Sequence, residues 1–291
     1  MVKSNRNKTA WFFLTGPLVL YLGWVIGPSL YTVYLSLTKY DGLSSPEFIG
    51  LKNFYRLFQD PVFITSLVNN IKWLLSFLVI PVVLGLVLAL LLNNQIKGNK
   101  LFKAAIYSPM ILSPIVIGLL WGWIYEPAGG LLNSTLSVIG LNYLTRGWLS
   151  DPEVVLYAII AAAVWRHVGY VMILFLAGLK TIPLVVIEAA RVDGASGWKK
   201  FWHIILPMLR PATVIVFVVT IIQSFRAFDM VNSMTEGGPF NSSNVLANLM
   251  YIEAFKNYRM GYGGSIAVIL FLLMFAFIVF YLKQIMKNEV D

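Results

Sequence analysis

The chain of 291 residues has no cysteine and few charged residues. Without cysteine it has no disulfide, no thiolate nucleophile and no cysteine metal site, and its redox compartment cannot be read from the sequence. Charged residues make up 12% of the chain, whereas hydrophobic residues make up 58%. Ordinary soluble domains are less apolar than this, so the composition predicts an all-α polytopic membrane protein.

The sequence also lacks the signatures of nucleotide and metal chemistry. No GxxxxGK[ST] segment occurs, so the chain has no P-loop with which to cradle ATP. The two histidines, His167 and His203, are far apart and form no HExxH or comparable metal-binding spacing. We therefore predict no catalytic residue, no metal and no cofactor in this chain.

The positive charge is concentrated in four segments. Residues 1–10, 93–103, 179–210 and 283–291 hold thirteen of the 22 Lys and Arg but four of the 13 Asp and Glu. The rest of the chain holds nine of each sign, so the whole net charge of +9 lies in these segments. Such an asymmetry is typical of cytoplasmic loops. It predicts a multi-pass membrane protein with both termini and residues 179–210 in the cytoplasm, and it argues against a nucleic-acid partner.

The hydrophobic runs predict six transmembrane helices. Their expected bounds are 11–37, 71–92, 104–125, 154–178, 211–231 and 263–282. Pro81, Pro109 and Pro114 fall inside the second and third spans. Proline is tolerated in a membrane helix where neighbours satisfy the freed carbonyl, so both helix packing and a moving kink remain open for these prolines.

Polar residues inside the spans are the candidates for a substrate path. A charged side chain at the depth of Arg166 costs at least about 2.5–3.5 kcal/mol. A functional role and a structural role, in an ion pair or a hydrogen bond to a kinked carbonyl, are therefore equal alternatives. Gln223 is the better substrate ligand, because its amide cannot ionise and suits hydroxyl groups. Arg226 and Asp229 are three residues apart and are able to pair. The candidate path residues are Arg166, Gln223, Trp165, Tyr170 and Phe228.

Residues 183–207 read as two short helices joined by a glycine turn. Pro183 suits the first helical position, and Gly194 permits the positive φ that ends the first helix. Ser196 suits the N-cap of the second helix. The second helix carries an apolar stripe at helical spacing: Trp198, Phe201, Trp202 and Ile205. Lys199 and Lys200 fall in its first turn, where the helix dipole disfavours cations, and this indicates a partner or the inner membrane surface.

The same segment carries a specific motif. Glu188-Ala189-Ala190, three residues, Gly194, nine residues, Ile204, one residue and Leu206-Pro207 fix seven positions over twenty residues. This pattern resembles the EAA loop of ABC importer permeases. Three further segments resemble the carbohydrate subgroup, which includes the glycerol-3-phosphate, lactose, multiple-sugar and maltose-type importers. They are 48–54 followed by Asp60-Pro61, Asn69-Asn70, and 225–239 with its Gly237-Gly238-Pro239.

The resemblance implies the type I ABC importer permease fold with cytoplasmic coupling helices. Residues 1–65 would form the N-terminal helix and first outer loop, and residues 66–286 the permease core. The implied ATPase-coupling residues are Glu188, Ala189, Ala190, Asp193 and Gly194. The implied partners are a second homologous permease, two ABC ATPases that carry ATP and magnesium, an extracytoplasmic substrate-binding protein and membrane lipid.

The function implied by the resemblance is an inner-membrane permease subunit of an ATP-driven importer for a carbohydrate or a related polyol. The alternative is a secondary carrier driven by an ion gradient, which would need carboxylates inside the membrane. Asp229 is near the end of its span, so the sequence favours the importer. A membrane-embedded enzyme is a third possibility, but the spans contain no convergent nucleophile and base.

Overall fold

The computed structural model describes residues 2–93 and 97–290, and 76% of the chain is helical. The helices are α1 Val2–Tyr21, α2 Gly27–Ser36, α3 Lys52–Leu57, α4 Pro61–Asn93, α5 Asn99–Ile111, α6 Pro114–Ile124, α7 Leu131–Val138, α8 Val155–Lys180, α9 Leu184–Val192, α10 Gly197–Lys200, α11 Leu206–Met208, α12 Arg210–Phe225, α13 Phe228–Thr235, α14 Leu246–Tyr251 and α15 Met260–Val290. Short π-helical stretches cover Leu22–Ile26, Phe201–Ile205 and Ile252–Lys256, and a 3₁₀ turn covers Asn142–Leu144. The strands β1 Thr38–Lys39 and β2 Glu47–Phe48 pair antiparallel, with Thr38 opposite Phe48.

Among the described residues, five segments are long and apolar enough to cross a membrane. They are Phe13–Ser36, Pro61–Asn93, Val155–Lys180, Arg210–Thr235 and Met260–Gln284. A sixth crossing results if α5 and α6, which meet at a bend of 102°, form one span. The prediction of an all-α membrane protein with six spans is therefore confirmed, with a third span that is broken and not straight.

The break in the third span follows from Pro114. Proline disfavours the helical conformation of the residue before it, and Ser113 has an extended ψ of 149°. Ser113 then acts as the N-cap of α6, because its hydroxyl accepts a hydrogen bond from the Val116 N–H at 3.3 Å. Leu112 is also extended, with a ψ of 145°. The chain thus ends one helix and starts another within three residues.

Two other spans differ from the predicted bounds. Helix α4 begins at Pro61, ten residues before the predicted start of the second span. Proline suits a first helical position, and the polar Asn69 and Asn70 belong to the helix because both are buried against hydrogen-bond partners. The fifth span is interrupted at Arg226 and Ala227, between α12 and α13.

Asn69 and Asn70 join α4 to the segment before α14. The Asn69 side-chain amide donates to the carbonyl oxygens of Ser242 and Asn244, at 2.8 and 2.9 Å. The Leu246 N–H donates to the Asn70 Oδ1 at 2.7 Å. We call these three hydrogen bonds the asparagine join. It connects elements that are more than 170 residues apart in the chain.

The chain forms two compact units, residues 62–248 with 272–291 and residues 1–61 with 249–271. The larger unit has two apolar clusters, one centred on Ile117, Ile159 and Val231 and the other on Met172, Phe175 and Leu209. Helices α5 and α8 approach closely there, since a Cβ on Gly169 would collide with the Ile106 carbonyl. The predicted division at residue 65 stays a prediction.

The smaller unit is held by polar contacts around β1. The Asn53 side-chain amide donates to the carbonyl oxygens of Ser36 and Thr38 at 2.9 and 2.8 Å, and thereby fixes α3 against the end of α2. The Tyr262 hydroxyl donates to Asp60 Oδ2 at 2.7 Å. These bonds order a loop that the sequence indicates only as a surface connection.

Candidate functional site

Helix α9 of the loop 183–207 ends in a Schellman motif. The Ala195 N–H donates to the Ala190 carbonyl at 2.9 Å, and the Gly194 N–H donates to the Arg191 carbonyl at 3.1 Å. Gly194 has a φ of 73°, as the sequence predicts. Pro183 is the N-cap of α9, one position before its predicted place. Asp193 is the exposed C-cap residue.

The second helix of the loop begins where it is expected but changes its period. The Ser196 hydroxyl accepts a hydrogen bond from the Lys199 N–H at 3.3 Å, which confirms it as the N-cap. From Phe201 onward the helix is π-helical, and the Leu206 N–H bonds to the Phe201 carbonyl. This longer turn rotates the following residues, so the predicted stripe is not one face. Ile205 packs on the core of the larger unit, whereas Trp198 and Trp202 are exposed.

The surface of α9 combines an exposed carboxylate with exposed apolar side chains. Leu184 and Val185 are 71% and 74% exposed, and Glu188 and Ala189 are exposed beside them. Ala190 is 6% exposed and packs inside the unit. Within residues 2–93 and 97–290, no hydrogen bond or ion pair engages Glu188. Of the two alanines of the motif, Ala189 is thus on the surface and Ala190 is buried, and their role in ATPase coupling stays a prediction.

A polar cavity of about 280 Å³ lies between the spans of the larger unit. Its polar and charged wall consists of Arg166, His167, Gln223, Arg226 and Asp229. The other lining residues are Trp73, Phe77, Pro114, Ala163, Ala227 and Met230. Two guanidinium groups and one carboxylate thus face the same space as an uncharged amide and two aromatic rings. A polar, uncharged ligand finds both hydrogen-bonding groups and apolar faces there.

Arg166 satisfies the carbonyls that the break in the third span leaves free. Pro114 has no N–H, so it cannot bond to the Met110 carbonyl, and the Val116 N–H bonds to Ser113 in place of the Leu112 carbonyl. The Arg166 Nε donates to the Leu112 carbonyl at 3.2 Å, and its Nη2 donates to the Met110 carbonyl at 3.5 Å. The hydrogen bond to a kinked carbonyl, one of the two alternatives for this arginine, is therefore present, and Arg166 also lines the cavity.

His167 is a buried, satisfied residue beside the cavity. Its Nε2 lies 3.3 Å from the Thr220 hydroxyl, and its ring stacks on Phe77 at 5.5 Å between centroids. Trp73 lies next to Phe77 and has a buried indole N–H with no hydrogen-bond acceptor in the described part of the chain. No group of three or more His, Asp or Glu in that part is arranged to hold a metal ion.

The structure brings together some of the predicted path residues. Arg166 and Gln223 share the cavity wall, whereas Trp165, Tyr170 and Phe228 are not among its lining residues. Trp165 packs edge-on against Trp121 at 5.8 Å. Tyr170 lies against the His167 ring at 5.8 Å, and Phe228 is half-buried on α13.

The sequence reading missed part of the cavity wall. Trp73 and Phe77 have i, i+4 spacing on α4, but aromatic residues in an apolar helix do not stand out. Asp229, expected near the end of its span, lies on the same cavity as the mid-span Arg166. Asp229 reaches the cavity because the helix is broken between α12 and α13. No proline in the sequence marks this break.

A second polar groove lies in the smaller unit, beside the loop that follows β1. Arg56 lies over the Tyr262 ring at 5.7 Å, and Arg259 pairs with Glu253 at 3.3 Å. Asp41 closes a turn at the edge of this groove. The backbone N–H groups of Ser44 and Leu43 donate to its carboxylate at 2.8 and 2.9 Å and lower its pKa to about 2.

Comparison with known proteins places the chain in a family. Residues 81–290 match the family described as "Binding-protein-dependent transport system inner membrane component". The chain is 38% identical over 278 residues to a probable ABC transporter permease protein of Pyrococcus horikoshii, and the match covers 95% of each chain. It is 33% identical over 294 residues to the multiple sugar-binding transport system permease protein MsmF of Streptococcus mutans, covering 99% of each.

A solved structure shares the fold. A chain in the crystal structure of a bacterial alginate ABC transporter, in complex with an alginate pentasaccharide-bound periplasmic protein, superposes with a TM-score of 0.84 at 22% identity. The superposition covers 95% of this chain and 93% of the other. The family match, the relatives over the full length and the shared fold agree with the spans described above. The chain therefore belongs to the family of binding-protein-dependent transport system inner membrane components.

Proposed function

We propose that this permease forms one half of the translocation pore of an importer for a carbohydrate or a related polyol. A second homologous permease completes the pore, and two separate ABC ATPases bind and hydrolyse ATP with magnesium. The sequence has no GxxxxGK[ST] segment, and we therefore assign the hydrolysis to the separate ATPases. The relatives named for sugar transport and the polar, aromatic cavity support a hydroxyl-rich substrate.

The observation that carries the proposal is the surface of α9. The face of α9 that exposes Leu184, Val185 and an unengaged Glu188 adds nothing to the packing of the described part of its own unit. Exposed apolar side chains around a charged one are typical of a protein interface. We infer that an ATPase subunit covers this face, and that Asp193 and Gly194 hold the turn that orients it.

The proposed topology places this loop and both termini in the cytoplasm of the cell. The charge asymmetry of the sequence supports it. A reporter fused after Asp291 tests it: a reporter that is active in the cytoplasm is expected, and one that is active only outside would refute the topology.

Energy coupling separates the importer from an ion-driven carrier. The permease, its partner subunits and a substrate-binding protein are reconstituted in sealed vesicles with ATP inside and labelled sugar outside. Uptake is expected to stop when ATP is depleted and to persist when an uncoupler removes the ion gradient. The reverse result would favour the carrier, with Asp229 as its intramembrane carboxylate.

We propose that substrate passes through the cavity at Gln223. The matched control is Thr213, which is on the same helix, half-buried and outside the cavity lining. A Gln223→Cys variant is expected to react with a small water-soluble thiol reagent, and bound sugar should slow the reaction. Thr213→Cys should show no such protection by sugar. A Gln223→Cys chain that never reacts and transports normally would remove this residue from the path.

The outer loops are proposed to receive the substrate-binding protein. Residues 38–67 and 232–262 are ordered by the Asn53 contacts and by the asparagine join, so they present fixed surfaces. Photo-crosslinkers placed in these two segments are expected to capture the binding protein. Crosslinks that form only from residues 126–153 would contradict this assignment.

A further inference from the structure

The second helix of the loop 183–207 carries three aromatic rings that pack on one another, two of them exposed and Phe201 half-buried. The Trp198 and Trp202 rings meet edge-on at 5.5 Å, and Phe201 meets Trp202 at 5.1 Å. Trp198 is 71% exposed and Trp202 47% exposed. We call these three residues the aromatic cluster. It is an ordered apolar projection, because the rings hold each other in place.

The surroundings of the aromatic cluster are basic. Lys199 and Lys200 lie within it in sequence, and the His203 Nδ1 lies 3.0 Å from the Lys199 carbonyl one turn away. No Asp or Glu occurs from Gly194 to Phe228. Two lysines near the start of a helix oppose its dipole, so the helix gains nothing from them in isolation. An anionic surface beside Lys199 and Lys200 would offset this unfavourable interaction with the helix dipole.

The aromatic cluster also lies close to where the chain enters the membrane. Trp202 precedes Arg210, the first residue of the fifth span, by eight residues, which is at most about 12 Å along a helix. Ile205 and Leu209 pack on the core of the larger unit, so this helix is fixed to the spans. Tryptophan is enriched at membrane interfaces because its ring is apolar and its N–H is polar.

We propose that the aromatic cluster and its lysines bind the anionic phospholipid surface of the inner leaflet. The rings enter the interfacial layer and the ammonium groups contact lipid phosphates. The lipid would thereby hold the second helix in place while α9 engages the ATPase. Lipid charge would then affect how firmly the coupling loop is positioned. This inference rests on the proposed cytoplasmic location of the loop.

Quenching of tryptophan fluorescence tests the contact directly. The assembled transporter is placed in nanodiscs of phosphatidylcholine and phosphatidylglycerol, with part of the phosphatidylcholine brominated near the glycerol backbone. Trp198→Phe/Trp202→Phe keeps the rings apolar but removes two reporters. If these rings touch lipid, the quenched fraction of the remaining fluorescence is expected to fall. If they do not, the fraction stays or rises, because unquenched emitters have been removed, and the proposal is overturned.

A pair of double variants tests the charge. Each lysine near an anionic surface contributes about a fivefold factor in binding, so Lys199→Gln/Lys200→Gln should lose the increase in quenching that phosphatidylglycerol produces. The control is Lys97→Gln/Lys100→Gln, which removes two exposed lysines from the other basic loop and should keep that increase. An equal response of both variants would refute the role of the lysines.

The experiment also separates lipid from protein as the occupant. Quenching that is present in the permease pair alone and disappears when the ATPase subunits bind would show that the aromatic cluster docks on the ATPase, and it would overturn the proposal. Because quenching is read without transport, a negative result leaves the proposed import function intact. A reporter that places the loop outside the cell would instead refute the proposed topology.

Discussion

The conformation of residues 183–207, the loop proposed to engage the ATPase, depends on the backbone φ angle of Gly194. Gly194 has a φ of 73°, which is strained for any residue with a Cβ, although a Cβ there would meet no atom within 4 Å. Gly194→Val therefore has a conformational cost only, about 1–2 kcal/mol. This corresponds to roughly a 5–30-fold loss in the population of correctly turned loops. Because the loop is exposed, the spans should fold and insert normally.

Two variants make the Gly194 prediction specific. Gly194→Asn should be nearly neutral, since asparagine tolerates the left-handed region. Gly197→Ala is the matched control, because Gly197 is in the same loop, has no positive φ and also has free space around it. The assay is co-purification of the ATPase and substrate-stimulated ATP hydrolysis, with membrane insertion measured in parallel. Full stimulation with Gly194→Val, or an equal loss with Gly194→Asn, would refute the conformational argument.

Three further predictions concern other sites. Glu188→Lys should leave membrane insertion and thermal stability unchanged but abolish ATPase association, whereas a large loss of thermal stability would show that Glu188 serves the fold. Arg166→Ala should lower thermal stability, because the Leu112 and Met110 carbonyls lose their donor and a net hydrogen bond contributes about 0.5–1.5 kcal/mol. Gln223→Ala should instead alter sugar uptake with little change in melting temperature; a reversal of these two effects would contradict the cavity assignment. Since hydrogen bonds lower the pKa of Asp41 to about 2, its turn is stabilised above the unfolded pKa of about 3.9 and loses that contribution as the pH falls through about 2. Proteolysis of residues 38–50 should therefore become less sensitive to acid in Asp41→Asn, and an unchanged acid response would refute the role of this carboxylate.

The sequence predicts the features that rest on local rules. The number of spans follows from hydrophobic length, and the turn at Gly194 and the cap at Ser196 follow from residue type at helix ends. The motif around Glu188 adds the position of the loop that we propose to couple to the ATPase. Such signals need no knowledge of the residues that pack nearby.

Features that depend on contacts between distant elements could not be predicted in the same way. Helix α4 extends back to Pro61 because Asn69 and Asn70 form hydrogen bonds near residue 244. A hydropathy average over neighbouring residues does not include partners that are so distant in sequence. The apolar stripe from Trp198 to Ile205 was expected on one face, but the π-helical turn divides it. For Arg166 two roles remained open from the sequence, and only the position of the Leu112 carbonyl shows which groups it contacts.

Arg166 and Pro114 depend on each other, although they are far apart in the chain. Pro114 has no N–H to donate to the Met110 carbonyl. The Arg166 guanidinium, 54 residues after Leu112 in the sequence, donates to the Met110 and Leu112 carbonyls instead. Neither residue can therefore vary freely while the other remains. A chain without the proline would form a straighter third span and would leave the Arg166 guanidinium without its acceptors. A chain without the arginine would keep the bend and leave its free carbonyls without donors. Their substitutions should thus be tolerated together more readily than singly, as a correlated pair in the history of the family.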